Sequence, residues 1–329
     1  MYIEYYQFKE KPFNLTPDPK FLYYSKHHQG ALDHLLYGIK EREGFMALMG
    51  GVGTGKTTLC RALLDSLDDK VNVALVLNPM ISTMDLFRTL IQELNISPAR
   101  PVQRSRLFQD FDIPLEEMDP DKEEEDKVEW IQTASKKQMF DALNDYLLAQ
   151  HSQGRSTVLI IDEAQTLSFE VLEQVRLLSN LETEKEKLLQ IIFVGQKELN
   201  DRLLEPELKQ LNQRISIRYE IFPLSLEECR NYINHRLTLA SQFPRVVFTP
   251  KAIQRIHEYS QGYPRLINLA CDRALLAAYN DQVDVIDRKQ VKQAIRSLSG
   301  ETTQLVAEEE SSGWAWATAA GVVLALFAG

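Results

Sequence analysis

The chain has 329 residues, enough for one large domain or two ordinary domains with real cores, and its 44% hydrophobic and 26% charged content excludes the disordered and fibrous classes. The 37 Lys and Arg residues against 47 Asp and Glu residues give a net charge of −10, which argues against a nucleic-acid-binding surface over the whole molecule but not against a local basic patch. The three cysteines are far apart in sequence, which excludes a disulfide framework or a zinc module as the organising feature and fits a reducing compartment.

The first residues, MYIEYYQFKEKPF, are charged and aromatic and contain no apolar stretch typical of a secretory signal. Short apolar runs further along predict strands buried on both faces, at Phe45–Met49, Val73–Leu77, Val158–Ile161, Leu189–Val194 and Tyr219–Phe222. Longer amphipathic stretches predict helices between them, at Thr57–Leu67, Thr83–Leu94, Lys136–Gln150 and Ser168–Asn180. This alternation predicts an α/β domain, with a parallel sheet and helices on both sides.

After Pro223 the strand pattern stops and four helices are predicted. Ser225 and Glu228 form a capping box that opens a helix to about Ala240, and Thr249 with Pro250 begins the next. Further helices are predicted over 264–279 and 287–298. We therefore expect a small all-helical domain behind the α/β domain.

An acidic segment over 97–129 interrupts this pattern. It holds eleven acidic and five basic residues and four prolines, which predicts a loop or a weakly ordered insertion. A solvated loop without function is the favoured interpretation, and a segment that docks a partner is the alternative.

The last seventeen residues, 313–329, carry no charge and follow a polar linker at 300–312. As a helix they would span about 25 Å, against about 30 Å for the hydrocarbon core of a bilayer. Trp314 and Trp316 stand where interfacial aromatic residues are common. The favoured interpretation is a transmembrane segment that is cut at or near its end. Without a secretory signal, residues 1–300 would then stay in the cytoplasm. A C-terminal core helix of a soluble domain is the alternative.

The segment from Gly50 to Thr57 matches the phosphate-binding pattern G-x-x-x-x-G-K-[ST] between a predicted strand and a predicted helix. Glycines let backbone N–H groups surround phosphates, and the helix N-terminus adds a positive dipole. Lys56 is expected to reach the β- and γ-phosphates and the Thr57 hydroxyl to bind Mg²⁺. The sequence thus predicts a P-loop nucleotide site.

Two further strand ends carry polar residues that would meet this site. Asp162 and Glu163 follow a buried strand, where Asp162 would hold Mg²⁺ and Glu163 would orient and deprotonate an attacking water. Gln196 follows the next strand and could contact the γ-phosphate, although a polar loop residue is an almost equal interpretation. A general base beside the P-loop favours hydrolysis over transfer to a metabolite.

Three arginines complete the candidate residues. Arg214 and Arg218 lie at the start of the last strand, where an arginine can reach the γ-phosphate of a neighbouring subunit, and a surface salt bridge is an equal alternative for either. Arg265 opens a lid helix after Gly262 and Pro264 and could report the state of the nucleotide, with a plain surface arginine as the alternative.

Together these motifs resemble an AAA+ ATPase. The segments KPFNLTPDPKFLYYS, GTGKTTLCRALL, IIDEAQTL, FVGQKEL, PELKQLNQRI and GYPRLINLACDRALL resemble the general secretion pathway protein A (GspA/ExeA) family and its relatives in type IV pilus and polysaccharide-export loci. The resemblance extends over about residues 1–298.

The resemblance implies a five-stranded P-loop sheet over 45–224 and a helical lid over 225–299, with 1–44 packing on the nucleotide site. It implies that Pro17, Asp18 and Pro19 close over the base, that Gln196 is sensor 1, Arg214 the arginine finger and Arg265 sensor 2. The expected ligands of ATP and Mg²⁺ are the P-loop residues, Asp162 and the residues of the N-terminal segment and lid: Gly50, Gly51, Gly53, Thr54, Gly55, Lys56, Thr57, Thr58, Asp162, Arg265, Pro17 and Asp18.

The function that the resemblance implies is ATP hydrolysis at the inner membrane, in a homo-oligomer that works with a membrane partner protein to assemble a secretion or pilus machine. Peptidoglycan is an expected partner only if a periplasmic domain follows residue 329. A DNA-associated AAA+ regulator and a nucleotide-gated scaffold with negligible turnover are the alternatives, and the net charge and the apolar tail argue against the first.

Overall fold

The computed structural model describes residues 1–16, 18–77, 80–97, 120–184, 186–241 and 245–299. For residues 120–126 it describes only the backbone. Pro17, the linker at 300–312 and the transmembrane segment predicted over 313–329 lie outside the described residues. The chain divides into two compact units. One holds Lys26–Val52 and Lys56–Phe222; the other holds Met1–Ser25, Gly53–Gly55 and the chain from Pro223 onward.

The strands are β1 (Phe45–Gly50), β2 (Val71–Val76), β3 (Ser156–Ile161), β4 (Leu189–Gly195), β5 (Ile215–Ile221), β6 (Val247–Phe248) and β7 (Val285–Ile286). The helices of the first half are α1 (Tyr2–Tyr5), α2 (Lys26–Lys40), α3 (Lys56–Ser66), α4 (Thr83–Glu93), α5 (Pro120–Thr133) and α6 (Lys136–Ser152). Those of the second half are α7 (Phe169–Leu178), α8 (Glu198–Leu203), α9 (Lys209–Asn212), α10 (Leu226–Ala240), α11 (Pro250–Ser260), α12 (Pro264–Asn280) and α13 (Arg288–Ser299).

The α/β unit is built on a five-stranded parallel sheet in the order β2-β3-β4-β1-β5. Every residue of the central strands β1 and β4 is buried, which explains why these strands read as continuous apolar runs. Helices α3, α4, α6 and α7 present their apolar faces to this sheet or to the core around it. The predicted α/β fold is confirmed.

Because all five strands are parallel, their carboxyl ends lie at one edge of the sheet. The loops that follow β1, β3 and β4 leave from that edge, and β4 lies between the other two strands. The topology therefore brings the P-loop, the Asp162–Glu163 pair and Gln196 to one place.

The prediction of a loop over 97–129 is wrong for its last part, because α5 begins at Pro120. Proline fits the first position of a helix, and acidic residues near the N-terminus suit the helix dipole, so the same charges that indicated a loop also favour a helix start. Ile131 on this helix is 4% exposed and joins the core of the α/β unit. The rest of the segment, 98–119, lies outside the described residues.

The second unit is mainly helical, as predicted, with α10 to α13. The prediction that it is all-helical is wrong, because the two-residue strands β6 and β7 form a parallel pair that is too short to show as an apolar run. Its core also includes aromatic side chains from the start of the chain, namely Tyr2, Tyr6, Phe8, Phe13 and Phe21. The N-terminal segment therefore ends at Ser25 rather than at residue 44. Residues up to Ser25 contribute to the helical core, whereas α2 packs against β5 in the α/β unit. Among the described residues, no helix is both long and apolar enough to cross a membrane.

Candidate functional site

The P-loop leaves β1 at Gly50 and enters α3 at Lys56. Gly53 and Gly55 have φ angles of +79° and +98°, a region that favours glycine over residues with a Cβ. The glycines of the motif are therefore required by the backbone path of the loop as well as by the approach of phosphates.

Lys56 is held inside this loop by the backbone. Its Nζ donates hydrogen bonds to the carbonyls of Gly50 at 3.0 Å and Gly51 at 3.1 Å, and the residue is only 5% exposed. Burial lowers the pKa of Lys56, while the nearby Glu163 and Asp162 act in the opposite direction. A buried ammonium group is thus oriented before any ligand arrives.

Thr57 and Asp162 bring two oxygen atoms together. The Thr57 Oγ1 donates to Asp162 Oδ2 at 2.9 Å, although 105 residues separate them in the chain. Two ligands of an octahedral Mg²⁺ at about 2.1 Å and at right angles lie about 3 Å apart, and hydroxyl and carboxylate oxygens suit this ion. The pair therefore fits the Mg²⁺ site that the sequence predicts.

Glu163 is the most tightly held acidic residue of the site. Its backbone has φ +51°, its N–H donates to Asp162 Oδ1 at 2.9 Å, and its Oε2 accepts from the amides of Gln165 at 2.5 Å and Gln196 at 3.0 Å. Burial would raise the pKa of Glu163, but the hydrogen bonds from Gln196 and Gln165 and the charge of Lys56 outweigh it and lower the pKa. The carboxylate therefore stays ionised, the form a general base needs.

Gln165 was not predicted as a site residue. It belongs to the segment DEAQ, but its contact to the Gln196 backbone depends on β4, whose place beside β3 the sequence does not show. The neighbouring Gly195 is explained by the same contact, because a Cβ there would lie 2.8 Å from Gln165 Oε1.

The structure does not bring Arg214 to the P-loop of its own chain. Arg214 precedes β5, where Ile215 pairs with Phe45 at the opposite edge of the sheet from Gly50. Five residues of strand separate these edges, or about 17 Å. The guanidinium donates to two neutral oxygens, Ser179 Oγ at 2.7 Å and Asn180 Oδ1 at 2.8 Å.

Arg218 lies within β5 and pairs in register with Ala47. It donates to the backbone carbonyl of Asn212 at 3.0 Å and also contacts that residue's side chain. Arg218 is thus bound to the end of α9, the helix before its own strand.

Arg265 and Asp18 belong to the helical unit. The backbone N–H of Arg265, the second residue of α12, donates at 3.3 Å to the carbonyl of Gly53, which clusters with this unit. The Asp18 side chain accepts from the Lys20 N–H at 3.0 Å and begins a short 3-10 turn over Pro19–Phe21. Pro17 lies outside the described residues.

The remaining predicted nucleotide ligands lie around the start of α3. Thr54 is buried, and Thr58 is half-buried on the first turn of α3. Within the described part of the chain, no three His, Cys, Asp or Glu residues form a group that could hold a metal ion by themselves. A P-loop metal site needs fewer protein ligands, because phosphate oxygens complete it.

Comparison with known proteins places these residues in a family context. A model of the AAA domain matches residues 39–203, half of the chain, and includes the P-loop, Asp162, Glu163 and Gln196. The chain is 41% identical over 279 residues to General secretion pathway protein A of Aeromonas hydrophila. That alignment covers 85% of this chain and 45% of the relative, so the chain spans less than half the length of that protein. The predicted family resemblance is confirmed.

Solved structures share the fold at low sequence identity. The Aeropyrum pernix ORC2 protein with ADPNP and ADP matches with a TM-score of 0.61 at 15% identity, over 88% of this chain and 72% of that one. The Cdc6p protein of Pyrobaculum aerophilum matches with a TM-score of 0.57 at 16% identity, over 85% and 70%. The Thermotoga maritima RuvB branch migration motor matches with a TM-score of 0.50 at 17% identity, over 84% and 70%.

Proposed function

Because this chain belongs to the AAA domain family, we propose that it hydrolyses ATP to ADP and phosphate and uses that turnover to assemble or place a secretion or pilus-type machine. The observation that carries the proposal is the meeting of three strand ends. Thr57, Asp162, Glu163 and Gln196 form one hydrogen-bonded cluster at the carboxyl edge of the sheet, and Lys56 is held in the adjoining P-loop by two backbone carbonyls.

The first role of this cluster is to hold the triphosphate. The oriented Lys56 ammonium replaces its contacts to the Gly50 and Gly51 carbonyls with contacts to phosphate oxygens, and the loop N–H groups and the N-terminus of α3 add further positive potential. Thr57 and Asp162 are the residues that hold Mg²⁺, which when bound supplies neutralisation of phosphate charge.

The second role is to remove a proton. One O–H bond of the attacking water breaks and its proton passes to the Glu163 carboxylate. The water oxygen forms a bond to the γ-phosphorus as the bond from that phosphorus to the ADP oxygen breaks. Gln196, hydrogen-bonded to Glu163, stands next to this step and fits the position of sensor 1.

The arginines take supporting roles in this proposal. Arg214 lies about 17 Å along the sheet from its own P-loop edge and therefore serves the γ-phosphate of a neighbouring copy, which requires a homo-oligomer. For Arg265, Asp18 and Pro17 we propose the nucleotide-binding roles that the family resemblance implies.

The test of hydrolysis is phosphate release by the purified chain with ATP. The proposal expects turnover with Mg²⁺ and its loss when the cation is removed by a chelator. A nucleotide-gated scaffold would bind ATP and release no phosphate, and an ATPase activity that requires added DNA would favour the DNA-associated class.

The second part of the proposal concerns location. The 41% identity to a general secretion pathway protein and the uncharged residues 313–329 support attachment to the bacterial inner membrane, with the ATPase units in the cytoplasm and a membrane protein as partner.

Removing 313–329 tests this attachment. The whole chain is expected in the membrane fraction, extracted fully only by detergent, and the shortened chain in the soluble fraction with unchanged ATPase activity. If the whole chain is monodisperse without detergent, the attachment is refuted.

A further inference from the structure

Gln165 connects the two predicted catalytic loops in the α/β unit. Its Nε2 donates to Glu163 Oε2 at 2.5 Å, and its Oε1 accepts from the Gln196 backbone N–H at 3.0 Å. One side chain thus contacts the proposed base and the backbone of the proposed sensor. We propose that Gln165 is a positioning residue for Glu163, an inference that rests on the proposed function.

The amide of Gln165 can face only one way. A backbone N–H requires an oxygen opposite it, so Oε1 must face Gln196. The carboxylate of Glu163 accepts hydrogen bonds and therefore requires the NH₂ end. Both neighbours demand the same orientation, and an amide fixed at both ends loses little further entropy when the substrate binds.

The backbone of Gln165 is fixed as well. Arg202 of α8 donates from Nη1 to the carbonyls of Gln165 and Leu167. Gly195 leaves the space that the side chain occupies, because a Cβ there would lie 2.8 Å from Gln165 Oε1 and 2.8 Å from Leu199 Cδ2. This glutamine is therefore hydrogen-bonded to the loop after β3, the loop after β4 and helix α8.

As a consequence, the two carboxylate oxygens of Glu163 have different roles. Oε2 accepts two amide hydrogen bonds, from Gln165 and Gln196, and so has no lone pair directed at a water. Within the described residues, Oε1 has no hydrogen-bond partner. Gln165 thereby leaves Oε1 as the oxygen that receives the proton, and keeps the carboxylate from rotating between equivalent positions.

Two variants separate this role from simple packing. Gln165→Met keeps the length of the side chain and removes both hydrogen bonds. Gln165→Glu keeps an acceptor for the Gln196 N–H and replaces the donor to Glu163 with a negative charge. Gln174→Met, at a buried glutamine on α7, is the matched control.

Steady-state kinetics with ATP and Mg²⁺ is the experiment, with ATP affinity measured by calorimetry and folding by thermal unfolding. We expect kcat to fall about tenfold in Gln165→Met and further in Gln165→Glu, part of the roughly 10²–10⁴-fold that general base catalysis contributes. KM and ATP affinity stay within about threefold of the parent, since neither variant touches Lys56 or Thr57.

Two results would overturn the inference: a kcat equal to the parent in Gln165→Glu, or a loss of ATP affinity as large as the loss of kcat. The control distinguishes the second result from general damage to the core. Turnover of Glu163→Gln at the parent rate would instead refute the proposed function. If Glu163→Gln is inactive but both Gln165 variants are fully active, only the positioning role of Gln165 is refuted.

Discussion

At the scale of single residues, Lys56 carries the clearest electrostatic consequence. Burial of its ammonium group lowers its pKa, and the group is held by two carbonyl oxygens rather than by a full counter-charge contact. Phosphate oxygens are better partners for a desolvated cation than carbonyls. Binding of ATP therefore relieves an electrostatic cost already present in the free protein.

We expect Lys56→Ala to weaken ATP binding by one to two orders of magnitude. A hydrogen bond to a charged group is worth about 1.5–3 kcal/mol, which corresponds to this change in affinity. Calorimetric titration with ATP measures it, and Lys209→Ala, at an exposed position on α9, is the control. Near-normal affinity in Lys56→Ala would show that the loop binds phosphate without its lysine.

The sequence identifies most residues of the site but not their contacts. Lys56, Thr57, Asp162 and Glu163 were predicted because each type has a chemical role at a recognisable spacing. The role of Gln165 depends on β4 lying next to β3, and on Gly195 at the end of β4. Such relations between strands have no signature in a single sequence.

At the scale of elements, apolar runs predicted the buried strands well and the edge strand less well. The predicted strand over 219–222 extends over Ile215–Ile221 in the structure. Its first half carries Ser216 and Arg218, both exposed, because this edge strand has a neighbour on one side only. Ile215 at its start and Ile221 at its end are both buried, so the search for a continuous apolar run found only the second half of a strand whose burial alternates.

The N-terminal segment, Met1–Ser25, is attached to the helical core through a buried arginine. Arg236 on α10 is 5% exposed and donates from Nε to the Pro12 carbonyl and from Nη1 to the Tyr232 hydroxyl, both at 2.7 Å. Its guanidinium lies 4.8 Å from the centre of the Phe21 ring. One side chain thus joins Pro12 and Phe21 to the helical core.

We expect Arg236→Met to destabilise the helical unit by about 2 kcal/mol or more, because the Pro12 carbonyl and Tyr232 hydroxyl would lose a charged donor inside the core. Thermal and denaturant unfolding measure the change. Arg230→Met, an exposed arginine on the same helix, is the control.

The same variant also tests whether Arg236 anchors the segment itself. Trypsin should cleave after Lys9 or Lys20 faster in Arg236→Met than in the parent or the control. Equal cleavage rates, with equal stability, would mean that the aromatic contacts alone hold the N-terminal segment.

At the scale of the whole molecule, Arg214 points to assembly. Its position at the amino edge of the sheet separates it from its own P-loop, and its two side-chain partners are neutral oxygens. A guanidinium whose hydrogen bonds go to neutral oxygens can exchange these contacts for a phosphate at modest cost. This arrangement favours a role in the site of a neighbouring copy.

We predict that inactive Arg214→Ala subunits regain turnover when mixed with subunits inactivated by Glu163→Gln. A mixed interface can pair an intact Glu163 site with an intact Arg214 from its neighbour. Phosphate release as a function of mixing ratio measures the effect, and Lys209→Ala in place of Arg214→Ala is the control for mixing itself. Oligomers that form without any recovery would exclude a role in trans.

The central claim is that Glu163 removes a proton from the attacking water at a P-loop site, and Glu163→Gln tests it most directly. The amide keeps the size of the side chain but cannot accept that proton. We expect ATP affinity within about threefold of the parent and phosphate release reduced roughly 10²–10⁴-fold, with Glu170→Gln on α7 unaffected. Turnover of Glu163→Gln at the parent rate would contradict the account.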